Sequence, residues 1–178
     1  MHWIDEVSAN LKRKNQLLFG RDSEFLQELA ELARAAPRRA LILWALDLAA
    51  GSAEALKKKY PCERRPQEAL EAARAWAEGR IKMPEARRSI LACHAAAKQV
   101  TGREDAALCH AVGQACSVVH TAGHALGFPI YELTAIVYRH GLERCAGAVE
   151  ARRQEYITRL FYWSERCDAG EWAKFLRG

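Results

Sequence analysis

CHAVGQACSVVHTAGHALG, residues 109–127, places two cysteines and three histidines in a run without a single Asp, Glu, Lys or Arg. The charge-free stretch around it extends from Ala106 to Tyr131. Length alone would let it cross a bilayer, but its histidines, Gln114 and Pro129 argue for burial inside protein. At about 100° per residue, Cys109, Gly113, Cys116, His120, Gly123, His124 and Gly127 share one helical arc. Leu108, Val112, Ala115, Val119, Ala122 and Leu126 fill an adjacent apolar face. A helix buried on two faces belongs at the centre of a bundle, so one element is expected from about Glu104 to Gly127. Overpacking by Gly123→Leu should then cost about 1–3 kcal/mol.

Outward from this run, nearly every segment repeats apolar residues at helical spacing, and alanine, the best helix former, is abundant. The expected fold is all-α: a single-domain bundle over residues 1–178, with antiparallel helical hairpins around the Gly/His/Cys-rich helix. Pro37 should open a helix that Gly51 stops; Pro66 and Gly79 should bracket the next, with Trp76 in its core stripe. Pro84 should open a helix to about Val100, with His94 on its apolar side between Ile90, Leu91 and Ala97. Further helices are expected from Phe128-Pro129 through Tyr138 and from about Val149 to Cys167. No Pro, Gly or Ser-rich linker divides the chain.

The chain has 178 residues, half of them hydrophobic, enough for a core that needs neither disulfide nor structural metal. Its opening, MHWIDEVSANLKRKN, lacks the apolar core of a secretory signal, which predicts a cytoplasmic protein. Six scattered cysteines without a CxxC pair read as reduced core residues. The 27 Lys and Arg against 22 Asp and Glu leave a net charge of +5. This excess is spread over short clusters such as Lys57-Lys58-Lys59, Arg87-Arg88 and Arg152-Arg153, which read as solvated helix faces. Replacing Arg152 and Arg153 with glutamine should therefore leave stability within about 0.5 kcal/mol.

Two readings compete for the histidines. In one, Cys116, His120 and His124, at i, i+4 and i+8, join His94 around a zinc ion. The run HTAGH, however, lacks the glutamate that HExxH uses as a base, and three ligands stacked over two turns reach one ion poorly. In the other, preferred reading, glycines admit a neighbouring helix, cysteines fill gaps, and the histidines hydrogen-bond each other, backbone carbonyls or water; if His94, His120 and His124 meet, they form a neutral hydrogen-bonded cluster. Asp47, in ALDLA, could orient a histidine or a metal and complete a polar pocket with His94, His120 and His124, or be solvated at a helix end or bonded to a neighbouring arginine. Cys93 and Cys109 each adjoin a histidine, but neighbours on a helix point about 100° apart and make a poor catalytic dyad. No catalytic residue and no cofactor is assigned.

The series RRALILWALDLA, RRPQEALEAARAWAEGRI, PEARRSILACHAAAK and AVGQACSVVHTAGHALGFPIYELTAI resembles the bacterial Imm-five-like immunity family associated with polymorphic toxin systems. The resemblance spans about residues 38–140 and is most specific at EAARAWAEG and at His120 and His124. It matches at Trp44, Asp47, Trp76, His94, His120 and His124. It implies a compact all-helical cytoplasmic protein without enzyme activity, whose partner is a cognate toxin. It brings no defined toxin-contact residues.

The first function is thus a binding protein that neutralises a toxin. Its basic charge disfavours a nuclease client, whose basic cleft calls for acidic surface. The second is a small enzyme or ligand binder using a His94, His120, His124 pocket. The third is a weak nucleic-acid module, suggested by basic and aromatic residues alternating in EARRQEYITRLFYWSERCDAGEWAKFLRG. Val149, Tyr156, Leu160 and Trp163 follow a core stripe there, and acidic residues dilute the charge, which argues against nucleic acid as a partner. No membrane partner is expected.

Overall fold

Pro37 precedes the longest helix, its fixed φ suited to a helix start. The computed structural model describes residues 2–177, and eight α-helices account for most of them: α1 His2–Lys12, α2 Gln27–Ala35, α3 Arg38–Lys59, α4 Arg65–Ala77, α5 Met83–Ala96, α6 Arg103–Ser117, α7 Gly127–His140 and α8 Ala146–Ser164. The fold is all-α, with no strand among the described residues.

Helices α3 and α6 form the centre. The first packs against α4, α6 and α8, and the second against α3, α4, α5 and α7. Both are apolar around much of their circumference, as central helices must be. Trp44 of α3 is fully buried, and its indole Nε1 donates to the Tyr156 carbonyl at 2.9 Å, tying α3 to α8. One continuous hydrophobic core reaches from Trp3 to Leu176. Gly79 adopts φ +79° just beyond α4, where Ala173 packs close enough that a Cβ would meet its Cα at 3.3 Å. The Ala173 amide donates to the Ala77 carbonyl at 2.7 Å, which holds the C-terminal segment on α4.

Two expected boundaries move. Gly51 does not stop α3, which continues to Lys59. Gly51 is exposed, and its usual penalty of about 1 kcal/mol relative to Ala is outweighed by packing on both sides of it. More important, the expected helix over 104–127 is two elements. Helix α6 ends at Ser117, whose Oγ donates back to the Gly113 carbonyl at 2.9 Å. A short 3₁₀ turn, Ala122–His124, then leads into α7, with Thr121 Oγ1 accepting from the Gly123 amide.

The break has a tertiary cause. Arg38 Nη2 donates to the carbonyls of Val119 and His120 at 3.0 and 2.8 Å, and Arg21 Nη1 donates to that of Gly123 at 3.0 Å. These guanidinium groups satisfy carbonyls that a broken helix leaves open. Pro129, in the first turn of α7, sits where a missing N–H costs nothing. As a result Gly123 is exposed, and a Cβ there would meet only Thr121 at ordinary contact distance, so the expected overpacking at this position is wrong.

The reading of Arg152-Arg153 as a solvated face is also corrected. Arg152 donates to both oxygens of Glu132, from Nε at 2.7 Å and Nη2 at 3.0 Å, while Ser52 and Tyr156 donate to the same carboxylate. Arg153 donates to the Phe25 carbonyl and pairs with Glu28. Both arginines are therefore engaged by groups of this chain, Arg152 in a buried cluster and Arg153 at the surface.

Candidate functional site

Helix α5 leans on α6 along a stripe of α6 that carries His110, Gly113, Gln114 and Ser117, at i, i+3, i+4 and i+7. Gly113 is required there: a Cβ would lie 2.5 Å from His94 Nε2, so the His94 ring occupies the space a side chain would need. His94 Nδ1 meets His110 Nδ1 at 2.9 Å. That contact demands one N–H and one lone pair, so the two rings carry opposite tautomers and cannot both be protonated without losing the bond.

Gly127 repeats the device one element later. A Cβ there would sit 2.4 Å from Gln114 Oε1, and with that space open the Gln114 amide accepts from His124 Nδ1 at 3.2 Å. His120, displaced from the helix, is exposed and stacks on Trp76 of α4, ring centroids 6.2 Å apart and planes 23° from parallel. Trp76 packs in turn against Phe175.

These groups surround a half-open cleft of about 370 Å³. Trp76 forms one wall; Met83, Arg87, Ile90, Leu91 and His94 of α5 form the next; Gln114 and Ser117 of α6, with His120 and His124, close the third. A smaller cavity of about 210 Å³ lies behind, lined in part by Arg103, His110, Tyr131 and Tyr138. The His94–His110 pair therefore stands between two cavities, one ring facing each.

Burial sets the electrostatics. It pushes the His94 imidazole down to about 4, helped by repulsion from His110 and His124. Burial also lowers His110, and it lowers His124 together with the neighbouring Arg21 and His120 charges. These three rings are neutral hydrogen-bonding groups at pH 7. Burial raises the thiols of Cys109 and Cys116 to about 12 and that of Cys93 higher still, and Cys93 Sγ donates to the Cys109 carbonyl. The three cysteines thus stay thiols, neither nucleophiles nor ready metal ligands.

The sequence-predicted residues divide accordingly. His94, His120 and His124 do line one cleft, but as members of three separate contacts rather than one hydrogen-bonded cluster. Cys116 is fully buried and is not part of the lining. The i, i+4, i+8 ligand stack required a helix that ends before His120, and among the described residues no three His, Cys, Asp or Glu side chains are placed to hold a metal ion. Asp47 does not join the cleft: its Oδ2 accepts from Arg159 Nη1 and Trp163 Nε1, both at 3.1 Å. Leu91, expected on the buried side of α5, is 56% exposed at the cleft rim. Sequence reasoning missed His110, Gln114 and Arg87; the α6 stripe at i, i+3, i+4 and i+7 was the signal for the first two.

A family model described as Imm-5 like putative immunity protein matches residues 31–159. The chain belongs to this family. The match is wider at both ends than the resemblance over 38–140, and it includes all of α3 to α7, hence every residue named around the cleft except Phe175. No curated protein and no solved structure matches the chain. No helix among the described residues is long and apolar enough to cross a membrane.

Proposed function

We propose that this protein is a cytoplasmic immunity protein of a bacterial polymorphic toxin system, which neutralises a cognate toxin by binding it and catalyses no reaction. The family match over residues 31–159 carries the reading. The architecture suits it: a bundle of this size can offer the roughly 800 Å² that a stable complex takes from each partner. Binding is favoured over chemistry at the cleft because the histidine that would act as a base, His94, has its Nδ1 occupied by a second imidazole rather than by an orienting carboxylate. The reading requires no cofactor. The net charge of +5 favours a client with an acidic exposed surface over a nuclease with a basic cleft.

The test is co-expression. The reading expects a toxin gene among the neighbouring open reading frames; that toxin domain is induced in a host with and without the chain, and survival is scored. Protection together with a stoichiometric complex on gel filtration is expected. Survival that requires the chain to turn over a small molecule, or no protection, overturns the reading.

A further inference from the structure

Of the large hydrophobic side chains left exposed, three gather around the cleft: Met83 at 41%, Leu91 at 56%, and Phe175 at 47% against Trp76. Their apolar surface continues into the cleft through Trp76 and Ile90. A contiguous apolar patch with a cavity at its centre is the form of a surface that receives an inserted side chain.

Its charge is equally specific. Arg87 and Arg88 are exposed on the same turn of α5, line the rim with Met83 and Leu91, and take part in none of the ion pairs among the described residues. The nearby carboxylates are already used: Glu78 pairs with Arg80, and Glu85 accepts from the Lys82 amide that precedes α5. Inside the cleft the imidazoles of His94 and His124 are neutral hydrogen-bonding groups that add no positive charge. Arg87 and Arg88 are thus cations without an ion-pair partner among the described residues at this edge, with exposed Lys82 just before Met83 in the chain; at Phe175 the Arg38 guanidinium lies 5.7 Å from the ring centroid and is held by the Val119 and His120 carbonyls.

The other exposed aromatic patch differs. On α8, Phe161 and Tyr162 are 55% and 49% exposed, but the adjacent cation is spent: Arg166 lies 4.2 Å from the Tyr162 ring centroid and pairs with Glu165. Nothing there calls for an added anion.

We infer that the cleft between α4, α5 and the 118–126 loop is the surface that takes the toxin, receiving one aromatic or aliphatic side chain from an acidic segment whose carboxylates meet Arg87 and Arg88. This inference rests on the immunity reading and adds the site and the chemistry of the partner. The inserted side chain displaces water from between Trp76, Ile90 and Leu91. The arginines steer the encounter, so they set the association rate and its salt dependence more than the packing does.

The experiment uses the full chain and the toxin domain that the immunity reading expects among the neighbouring open reading frames. Arg87→Glu with Arg88→Glu, and separately Leu91→Glu, change exposed side chains, and unaltered melting shows that they fold; Phe161→Glu with Tyr162→Glu on α8 is the control. Wild type and control are expected to protect, and both α5 variants to lose protection. The wild-type association rate should fall about tenfold or more from low to high salt, as for a steered encounter, and the double-arginine variant should show a nearly flat salt dependence. Selection for toxin mutants neutralised again by that variant should return Asp or Glu to Lys changes in one segment. Protection by the α5 variants at the wild-type level, equal loss in the α8 control, or a wild-type dimer that Leu91→Glu dissolves would overturn the cleft assignment while leaving immunity intact. A wild-type chain that gives no protection removes both.

Discussion

Glu132 on α7 and His94 on α5 each anchor a polar cluster inside an otherwise apolar bundle, and they satisfy burial in opposite ways. Around Glu132 the charges are kept: the carboxylate takes four hydrogen bonds, from Ser52, Tyr156 and two arms of Arg152, and Arg152 reaches on to Glu155. Burial pulls the Arg152 guanidinium down, but the charge and hydrogen bonds of Glu132 more than offset this, and it stays ionised. Around His94 the charges are given up instead. Neutral rings bond each other or an amide, glycines make room for them, and one side remains open to solvent. A closed ionic cluster fixes how α3, α7 and α8 meet, whereas an open neutral one leaves side chains available to a partner. The difference separates a closed part of the molecule from one with a cleft open to solvent.

The strongest way to break this comparison is at the closed cluster. Arg152→Ala leaves the Glu132 carboxylate, which is 8% exposed, without its counter-charge. The expected loss is about 3–5 kcal/mol, as for other buried pairs with one partner removed, read as a lowered urea midpoint. A loss below about 1 kcal/mol, the range of exposed pairs, would show that water reaches Glu132 and that the cluster is not closed.

At the open cluster, Gly113→Ala puts a methyl where the His94 ring now lies. The ring is pinned by His110 and cannot swing freely, so a cost of about 1–3 kcal/mol is expected. The His94–His110 bond should break with it, visible as separated imidazole signals by NMR. An unchanged midpoint would mean that His94 leaves the glycine at little cost, and the cluster would then be looser than drawn.

The pH dependence sharpens the contrast further. His94 titrates near 4 in the folded chain and near 6.5 when unfolded. Between these values the unfolded state binds the extra proton, so stability held by neutral His94 is complete above about pH 6.5, falls as the pH drops, and levels off below about 4. His94→Gln should flatten the stability curve across that window, leaving a residual slope from His110 and His124, which burial lowers in the same direction. Parallel curves for wild type and variant would show His94 to be as solvated as a free imidazole.

Much of the bundle was legible because helices announce themselves through proline starts and apolar stripes. Pro37 and Pro66 open α3 and α4, Gly79 follows α4 in a positive-φ turn, and Val149, Tyr156 and Leu160 are buried as their spacing implies. The end of α6 was not legible. The apolar period continues through Val118 and Val119, and the groups that satisfy the freed carbonyls, Arg21 and Arg38, are about 80 to 100 residues away in the chain. At the site, His94, His120 and His124 were found by residue type, and Trp76 was read as core although it is both core and wall. His110 was passed over because the arc chosen on α6 ran through Cys109 and Cys116, each one residue before a member of the stripe that faces α5, His110 and Ser117. Arg152 was misread because a doublet of arginines looks solvated until the carboxylate on another helix is known.

The smallest expected effect tests that same boundary. If α6 continued through Gly123, a side chain there would enter the bundle and Gly123→Leu would be costly. In the structure Gly123 lies in an exposed 3₁₀ turn with negative φ, and a Cβ finds only Thr121 Oγ1 at 3.7 Å and Cγ2 at 4.0 Å. Gly123→Ala should therefore shift stability by no more than about 0.5 kcal/mol, the range of surface substitutions away from special features. It could even be slightly stabilising, since alanine restricts the unfolded chain more than glycine does. The carbonyl bonded to Arg21 is backbone and survives the change. Measured beside Gly113→Ala under the same denaturant, the pair reads out where the helix stops: a ratio well above one places position 113 against His94 and position 123 in solvent, whereas equal losses would restore the continuous helix and take the exposed rim of the cleft away with it.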